Sequence, residues 1–231
     1  WLGVVGPKAL ALCGKIGDGW VPSMAYVTPG QASDTSIALR IATGEGVACD
    51  IDAADSMSVR VLLLSAMRGR VIAAGDSVWS YQGGVWVAGP VQHLAGDGPT
   101  GACTAHGPDA GVVRITLGGT AAPPVGTALR FTRRVRYNLY RAGDGGTYLG
   151  LREWSASLGA FAGTQPVAGP LSRAGTAFHF HDSLGNRMDP ATMPSGALGQ
   201  VVLELEGSRV PGDAAAQLPT LRAAVALRNR R

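Results

Sequence analysis

The sequence has little charge, little lysine and few aromatic residues. Charged residues make up 16% of the 231 residues and aromatic residues 6%, while hydrophobic residues make up 46%. A disordered tail has the opposite balance, so this composition excludes one and favours a folded body with its own core. The positive charge is carried almost entirely by arginine, since Lys8 and Lys15 are the only lysines.

Long apolar runs are also lacking. No uninterrupted stretch approaches the roughly 18 residues that a membrane helix needs. The sequence starts at Trp1 without an initiator methionine, and the basic and apolar regions of a signal peptide do not follow. We therefore expect a fragment from which an N-terminal part has been removed.

Cysteine is scarce, and its spacing argues against a zinc finger. The three cysteines, Cys13, Cys49 and Cys103, form no CxxC pair. If a disulfide forms, Cys49 and Cys103 are the preferred partners because both lie beside strand-like segments. Three buried, reduced thiols are the alternative.

Glycine and proline are abundant, with 34 and 14 residues, and they supply tight turns. Between the turns, apolar and polar residues alternate with period two, the pattern of half-buried strands. One strand is predicted from Ser36 to about Ala42 and a second across Gly46–Ile51. Further strands are predicted at Met57–Leu64, Val112–Leu117, 134–140, 178–180, 201–206 and 221–228.

Two hairpins are predicted from turn chemistry. Val78–Tyr81 and Val85–Val87 flank Gln82-Gly83-Gly84, and glycine readily adopts the positive φ of a tight turn. The strand at 134–140 continues through a glycine-rich turn into Thr147–Trp154.

These patterns predict an α+β, β-rich fold class, with antiparallel sheets of hairpins and little helix. A short helix is predicted at Pro7–Cys13, and Leu158–Pro170 is predicted to be a loop or short helix. We expect a single domain over 1–231, with an irregular lead-in at 1–33 and the sheet region at 34–231. The absence of a strand-helix-strand rhythm excludes a parallel nucleotide-binding sheet.

Gly75-Asp76-Ser77 follows an apolar stretch, the position in which some lipases and esterases present a nucleophilic serine. Those enzymes also need a histidine held by a carboxylate, and no histidine here has an aspartate three residues before it. The Gly-x-Ser-x-Gly elbow is absent too. We interpret Ser77 as a turn residue and expect no catalytic residue, with a Ser77-dependent hydrolase as the alternative.

His179 and His181 share one face of a predicted strand, as metal ligands in some β-rich enzymes do. A third ligand is not at suitable spacing, because the next glutamate is Glu204 and His93 and His106 fall in predicted loops. We interpret the two histidines as a polar strand face and expect no metal. Phosphate loops and dinucleotide fingerprints are also lacking, so we expect no cofactor.

Trp79, Tyr81 and Trp86 gather around the first predicted hairpin. They would suit a carbohydrate-stacking platform, although cross-strand aromatic pairs are also ordinary sheet stabilisers. A secreted carbohydrate-binding module is therefore an alternative function. The densest arginine cluster, at 130–141, lies on an alternating strand without a recognition motif, so we expect no nucleic-acid partner.

The last hundred residues resemble a known family in the order of their parts. Arg133–Arg141 is followed by a glycine turn, then by Tyr148–Trp154 and Val167–Leu171, and the sequence closes with Ala224–Arg230. Gly75–Trp79 resembles the family's mid-domain strand start. Together these segments resemble the globular domains of prepilin-type proteins, in particular minor pilins of the W type and type II secretion minor pseudopilins of the J type.

The resemblance implies a non-catalytic periplasmic head, anchored in the inner membrane through an apolar N-terminal helix that this sequence lacks. Its partners would be other minor pilins or pseudopilins in a type IV pilus or a type II secretion pseudopilus. Two strands are predicted to face those partners, with an ordinary solvated face as the alternative for each. Their candidate contact residues are Arg134, Arg136, Tyr140, Arg222 and Arg228.

Overall fold

A computed structural model describes residues 32–33, 35–52, 54–66, 72–96, 101–106, 111–119, 121–194, 197–208 and 220–226. The helix predicted at Pro7–Cys13 lies outside these residues. In the part of the chain that they cover, no helix has the length and apolar character to cross a membrane.

Fourteen strands are found in the described residues. The first seven are β1 (Ala32–Ser33), β2 (Ser36–Ile51), β3 (Ser58–Ala66), β4 (Ser77–Gln82), β5 (Val85–Gly96), β6 (Val112–Leu117) and β7 (Ala128–Arg141). The other seven are β8 (Thr147–Ser155), β9 (Ala160–Phe161), β10 (Gln165–Leu171), β11 (Ala177–His181), β12 (Arg187–Met188), β13 (Gln200–Glu206) and β14 (Thr220–Ala226). A six-residue 3-10 helix at Gly101–His106 is the only helix in these ranges.

The predicted α+β class is wrong, because the described chain is almost entirely antiparallel β. Leu158–Pro170, predicted to be a loop or short helix, contains β9 and most of β10, and both strands pair with β8. Pro166, Gly169 and Pro170 interrupt any alternation in β10. The strand therefore depends on long-range pairing with β8, which a local pattern does not reveal.

Strand β2 also differs from the prediction, since the two strands expected before Ile51 form one continuous strand of 16 residues. Gly46 lies within it, and a Cβ there would stand 2.6 Å from Cγ1 of Val61 on β3. Glycine is thus needed for close strand approach at this position rather than for a turn. His93, predicted to lie in a loop, is part of β5.

The chain divides into two compact units, each described separately below. The terminal unit consists of the described parts of 1–40, 135–153 and 161–231, and the central unit of those in 41–134 and 154–160. Strands β2, β7, β8 and β9 contribute residues to both units.

In the central unit, neighbouring strands pair in the order β2, β3, β6, β5, β4 and β7, and β7 also pairs with β2. At that closing contact, the Ala48 amide donates to the Thr127 carbonyl at 2.9 Å, and the Gly126 amide donates to the Ala48 carbonyl at 2.7 Å. The pairing order thereby closes on itself and encloses an apolar core. The buried core residues are Ala48, Val59, Val61, Ile72, Val78, Val91, Ile115, Leu117, Leu129 and Phe131.

In the terminal unit, β7 pairs with β8 and β8 with β10, while β12, β11, β13 and β14 form a four-stranded antiparallel sheet. The apolar residues of the alternating strands meet in one core. Its buried members are Ile37, Leu149, Leu171, Phe178, Phe180, Leu198 and Leu203. Each large aliphatic or aromatic side chain buried in this way stabilises the fold by about 1.5–3 kcal/mol.

Candidate protein-binding surface

The hairpin of β4 and β5 presents the most concentrated set of exposed apolar side chains in the central unit. Gly83 and Gly84, with φ of 55° and 86°, form its two-residue turn, and both positions need the positive φ that glycine supplies. This turn fixes the register and sets Tyr81 opposite Trp86 and Trp79 opposite Ala88. The sequence prediction of this hairpin is confirmed.

Four large hydrophobic residues at the end of this hairpin are exposed. The exposed fractions are 52% for Tyr81, 60% for Val85, 36% for Trp86 and 36% for Val87. Single exposed apolar residues are common on protein surfaces, whereas exposed aromatic residues grouped on one face are rarer and make this hairpin a candidate interaction site. Tyr81 and Trp86 are cross-strand partners on one face of the hairpin, and Val85 and Val87 lie on the opposite face. We call Tyr81, Trp86 and Arg130 the hairpin surface.

The aromatic residues of the hairpin surface are held in place by their neighbours. The ring centroids of Tyr81 and Trp86 are 5.4 Å apart, with their planes tilted by 56°. The Arg130 guanidinium lies 4.9 Å from the centroid of the Trp86 ring, and its Nε is 3.6 Å from Oε1 of Glu45. The ring contact and the ion pair restrict the rotamers of these exposed side chains.

The same geometry does not suit a flat aromatic platform on which a carbohydrate ring could stack. Tyr81 and Trp86 are far from coplanar, and Arg130 occupies part of the space over the Trp86 ring. Trp79 is held within the sheet by a hydrogen bond, in which its indole N–H donates to Oγ1 of Thr132 at 3.0 Å. The three aromatic residues that the sequence grouped together thus have different roles.

A small cleft lies on the opposite face of the hairpin, where Ser80 and Val87 line its wall with core residues such as Leu129. It encloses about 10 Å³, which is room for about one water molecule. Gln82 also lines the cleft, and its Nε2 donates to Oγ of Ser80 at 2.7 Å. A substrate of ordinary size therefore has no room in this cleft.

The predicted partner-facing residues of β7 are partly buried and packed within their own units. In the central unit, the Arg134 guanidinium lies 4.8 Å from the Trp154 ring centroid. In the terminal unit, Arg136 lies 4.4 Å from the Phe161 ring centroid, and Tyr140 packs 6.0 Å from Tyr148. Such cation–π and aromatic contacts stabilise the sheet.

Arg222, on β14 of the terminal unit, is the predicted contact residue that the structure leaves accessible. Its side chain is 67% exposed, with Nε 3.3 Å from Oε1 of Glu204. Arg228 lies outside the described residues.

The predicted turn residue Ser77 is the first residue of β4, opposite Pro90 and Thr132. Its neighbour Asp76 is 2% exposed and forms an ion pair with Arg133. The sequence did not reveal this pair, because its members are 57 residues apart.

The two histidines of β11 are engaged separately in the terminal unit. Nε2 of His179 lies 3.0 Å from Oε2 of Glu204, and Nδ1 of His181 lies 3.0 Å from the Gly185 carbonyl. Phe178 and Phe180, which alternate with the two histidines along the strand, are buried in the core of the terminal unit. Across the described ranges, no group of three or more His, Cys, Asp or Glu residues is arranged to hold a metal ion.

Cys49 and Cys103, the preferred pair in the sequence, are joined by a disulfide in the structure. Their sulfurs are 2.03 Å apart and their Cα atoms 5.1 Å apart, within the range of such bonds. Both residues are buried and form a small core with Val112. The bond ties β2 to the 3-10 helix over a sequence separation of 54 residues.

Two turns in the terminal unit hold their aspartates in the charged form. The hydroxyl of Tyr148 and the amide of Gly146 donate to Asp144 and lower the pKa of its carboxyl. The side-chain and backbone N–H groups of Asn186 do the same for Asp182. These two shifts belong to hairpin turns, where the aspartates have a structural role.

We compared the chain with known proteins in three ways, and no protein-family description, curated protein or solved structure matches it.

Proposed function

We propose that this chain is the non-catalytic head domain of a minor pilin or type II secretion pseudopilin, and that its hairpin surface contacts a neighbouring subunit. The observation that carries the proposal is the exposed pair of Tyr81 and Trp86 beside Arg130. Tyrosine, tryptophan and arginine are the residues that most often dominate the energy of protein interfaces.

The arrangement of these residues suits a protein partner better than a small molecule. The tilted aromatic pair and the guanidinium over Trp86 give a surface of mixed apolar and cationic character. Such a surface matches the apolar centre and polar rim of typical protein interfaces. Ordered side chains also lose little conformational entropy on binding.

The resemblance to prepilin-type heads supplies the class of partner. The segments that carry it, Arg133–Arg141, Tyr148–Trp154 and Val167–Leu171, coincide largely with β7, β8 and β10. The Cys49–Cys103 bond is consistent with the periplasm, an oxidising compartment in which disulfides persist. The proposed head would therefore bind other pilin-like subunits outside the cytoplasm.

The proposal is tested with the purified chain and the purified head domains of the pilin-like subunits encoded in the same genome. At least one of these should bind, and Trp86→Ala should weaken that binding by about ten-fold or more, the loss typical of an interface hot spot. Leu184→Ala is a matched control, because Leu184 is an apolar residue that is 84% exposed in a turn of the terminal unit. Equal affinity of the two variants, or no binding to any subunit, would contradict the proposal.

A further inference from the structure

The end of the β4–β5 hairpin, residues 81–87, reaches beyond the strands that flank it in the central unit. The pairing of β4 with β7 covers only 77–80, and the regular pairing of β5 with β6 begins at Val91. Among the described strands, residues 81–87 therefore pair only within the hairpin. A Cβ added at Gly83 or Gly84 would have no atom of a non-neighbouring residue within 4 Å. We call residues 81–87 the hairpin tip.

Both faces of the hairpin tip are apolar and accessible. Tyr81 and Trp86 share one face, and Val85 and Val87 share the other. An antiparallel sheet ordinarily packs one face on the core and presents a polar face to water. The hairpin tip departs from this rule, because all four of these large apolar side chains are at least 36% exposed. Contact on the aromatic face alone would leave the two valines in water.

Charge is lacking along the whole hairpin. Residues 77–96 include no aspartate, glutamate, lysine or arginine. The polar side chain of Gln82 on the valine face donates a hydrogen bond to Ser80 of the same hairpin. The ion pair of Arg130 with Glu45 lies beside the Trp86 ring. A site that takes up the tip must therefore have uncharged walls, with charged groups only at its rim.

We infer that the neighbouring subunit holds the hairpin tip in an uncharged, apolar cleft whose two walls cover both faces of the tip. One wall would pack against Tyr81 and Trp86, and the other against Val85 and Val87. The Arg130–Glu45 pair would stay in water at the rim of the cleft. The inference rests on the proposed function, because it describes the binding site on the same partner subunit.

The charges favour a protein cleft over a lipid bilayer as the surroundings of the tip. Segments that bind membrane surfaces combine apolar side chains with lysine or arginine, which bind anionic lipids. The hairpin tip contributes neither cation, and the charge of Arg130 is balanced by Glu45. Burial of both faces between protein walls needs no such cation.

The test compares one substitution on each face, using the whole chain and the subunit that binds it. Trp86→Ala changes the aromatic face and Val85→Lys the valine face. Leu184→Lys is the matched control, because Leu184 is 84% exposed in a turn of the terminal unit. We expect Val85→Lys to weaken binding by about ten-fold or more, as Trp86→Ala does, and Leu184→Lys to leave the affinity unchanged. Val85→Thr, which keeps the β-branched shape, should also weaken binding without a change in melting temperature.

Unchanged affinity in both Val85 variants, together with weaker binding of Trp86→Ala, would overturn the two-walled cleft and leave the proposed function in place. No binding to any subunit would overturn both. Flotation with vesicles of phosphatidylcholine and phosphatidylglycerol tests the bilayer. If the chain floated with the vesicles, and Trp86→Ala and Val85→Lys each abolished this, lipid would be the surroundings of the tip and the inference would be wrong.

Discussion

The Arg133 guanidinium holds both carboxylate oxygens of the buried Asp76. Its Nε donates to Oδ1 at 2.7 Å and its Nη2 donates to Oδ2 at 3.0 Å. The Ala73 amide and the Thr43 hydroxyl also donate to Oδ2, at 3.0 and 3.3 Å. This network ties the turn before β4 to β2 and β7, so that the base of the hairpin is fixed by a charged group inside the central unit.

Removal of the arginine should destabilise the protein strongly. Arg133→Met leaves the Asp76 carboxylate buried without its cation, a change that typically costs about 3–5 kcal/mol. Urea unfolding monitored by tryptophan fluorescence measures the loss. The control is Arg114→Met, because Arg114 is 45% exposed and 3.5 Å from Asp52, and an exposed pair contributes at most about 1 kcal/mol. Equal decreases in the free energy of unfolding of the two variants would show that the burial of Asp76 does not strengthen its ion pair with Arg133.

The disulfide should make a second large contribution. For a loop of 54 residues between Cys49 and Cys103, the entropic model predicts about 4 kcal/mol of stabilisation. Cys49→Ser with Cys103→Ser should lower the free energy of unfolding by about that amount. An unchanged melting temperature after reduction would refute the contribution of the bond.

The turn between β7 and β8 predicts a specific pH response. The pKa of Asp144 is below its ordinary value of 3.8, mainly because Tyr148 donates a hydrogen bond to the charged form. The carboxylate therefore stabilises the turn at pH above 3.8, and this stabilisation is lost as pH falls through the lowered pKa. Tyr148→Phe should raise the Asp144 pKa toward 3.8 in a carboxyl NMR titration.

Asp182 is the internal control for that titration. Its pKa is lowered mainly by a hydrogen bond from Asn186, so Tyr148→Phe should leave the pKa of Asp182 unchanged. If the pKa values of both aspartates changed, or neither did, the Tyr148 hydrogen bond would not be the cause of the lowered Asp144 pKa.

The sequence predicted those strands and turns that depend on residues close together in the chain. The β4–β5 hairpin follows from Gly83-Gly84 between alternating strands, and β6 follows from a short β-branched run with turns on both sides. Strand β10 could not be found in this way, because two prolines interrupt it and its pairing with β8 creates the strand.

The hairpin surface was predictable in part. The sequence places Tyr81 and Trp86 on facing strands, since the two-residue turn fixes their register. The contact of Arg130 with Trp86 depends on the pairing of β7 with β4, and the ion pair with Glu45 involves β2. Such contacts between distant segments have no local signature, so the preorganised part of the surface became visible only in the fold.

The most direct test of the proposed function is photo-crosslinking in the cell of origin. Benzoylphenylalanine is placed at position 81 of the hairpin surface, or at position 184 as a control, and crosslinked partners are identified by mass spectrometry. The account predicts that position 81 captures subunits with a pilin-type N-terminal apolar helix and that position 184 does not. Capture of unrelated proteins only, or the same yield at both positions, would contradict it.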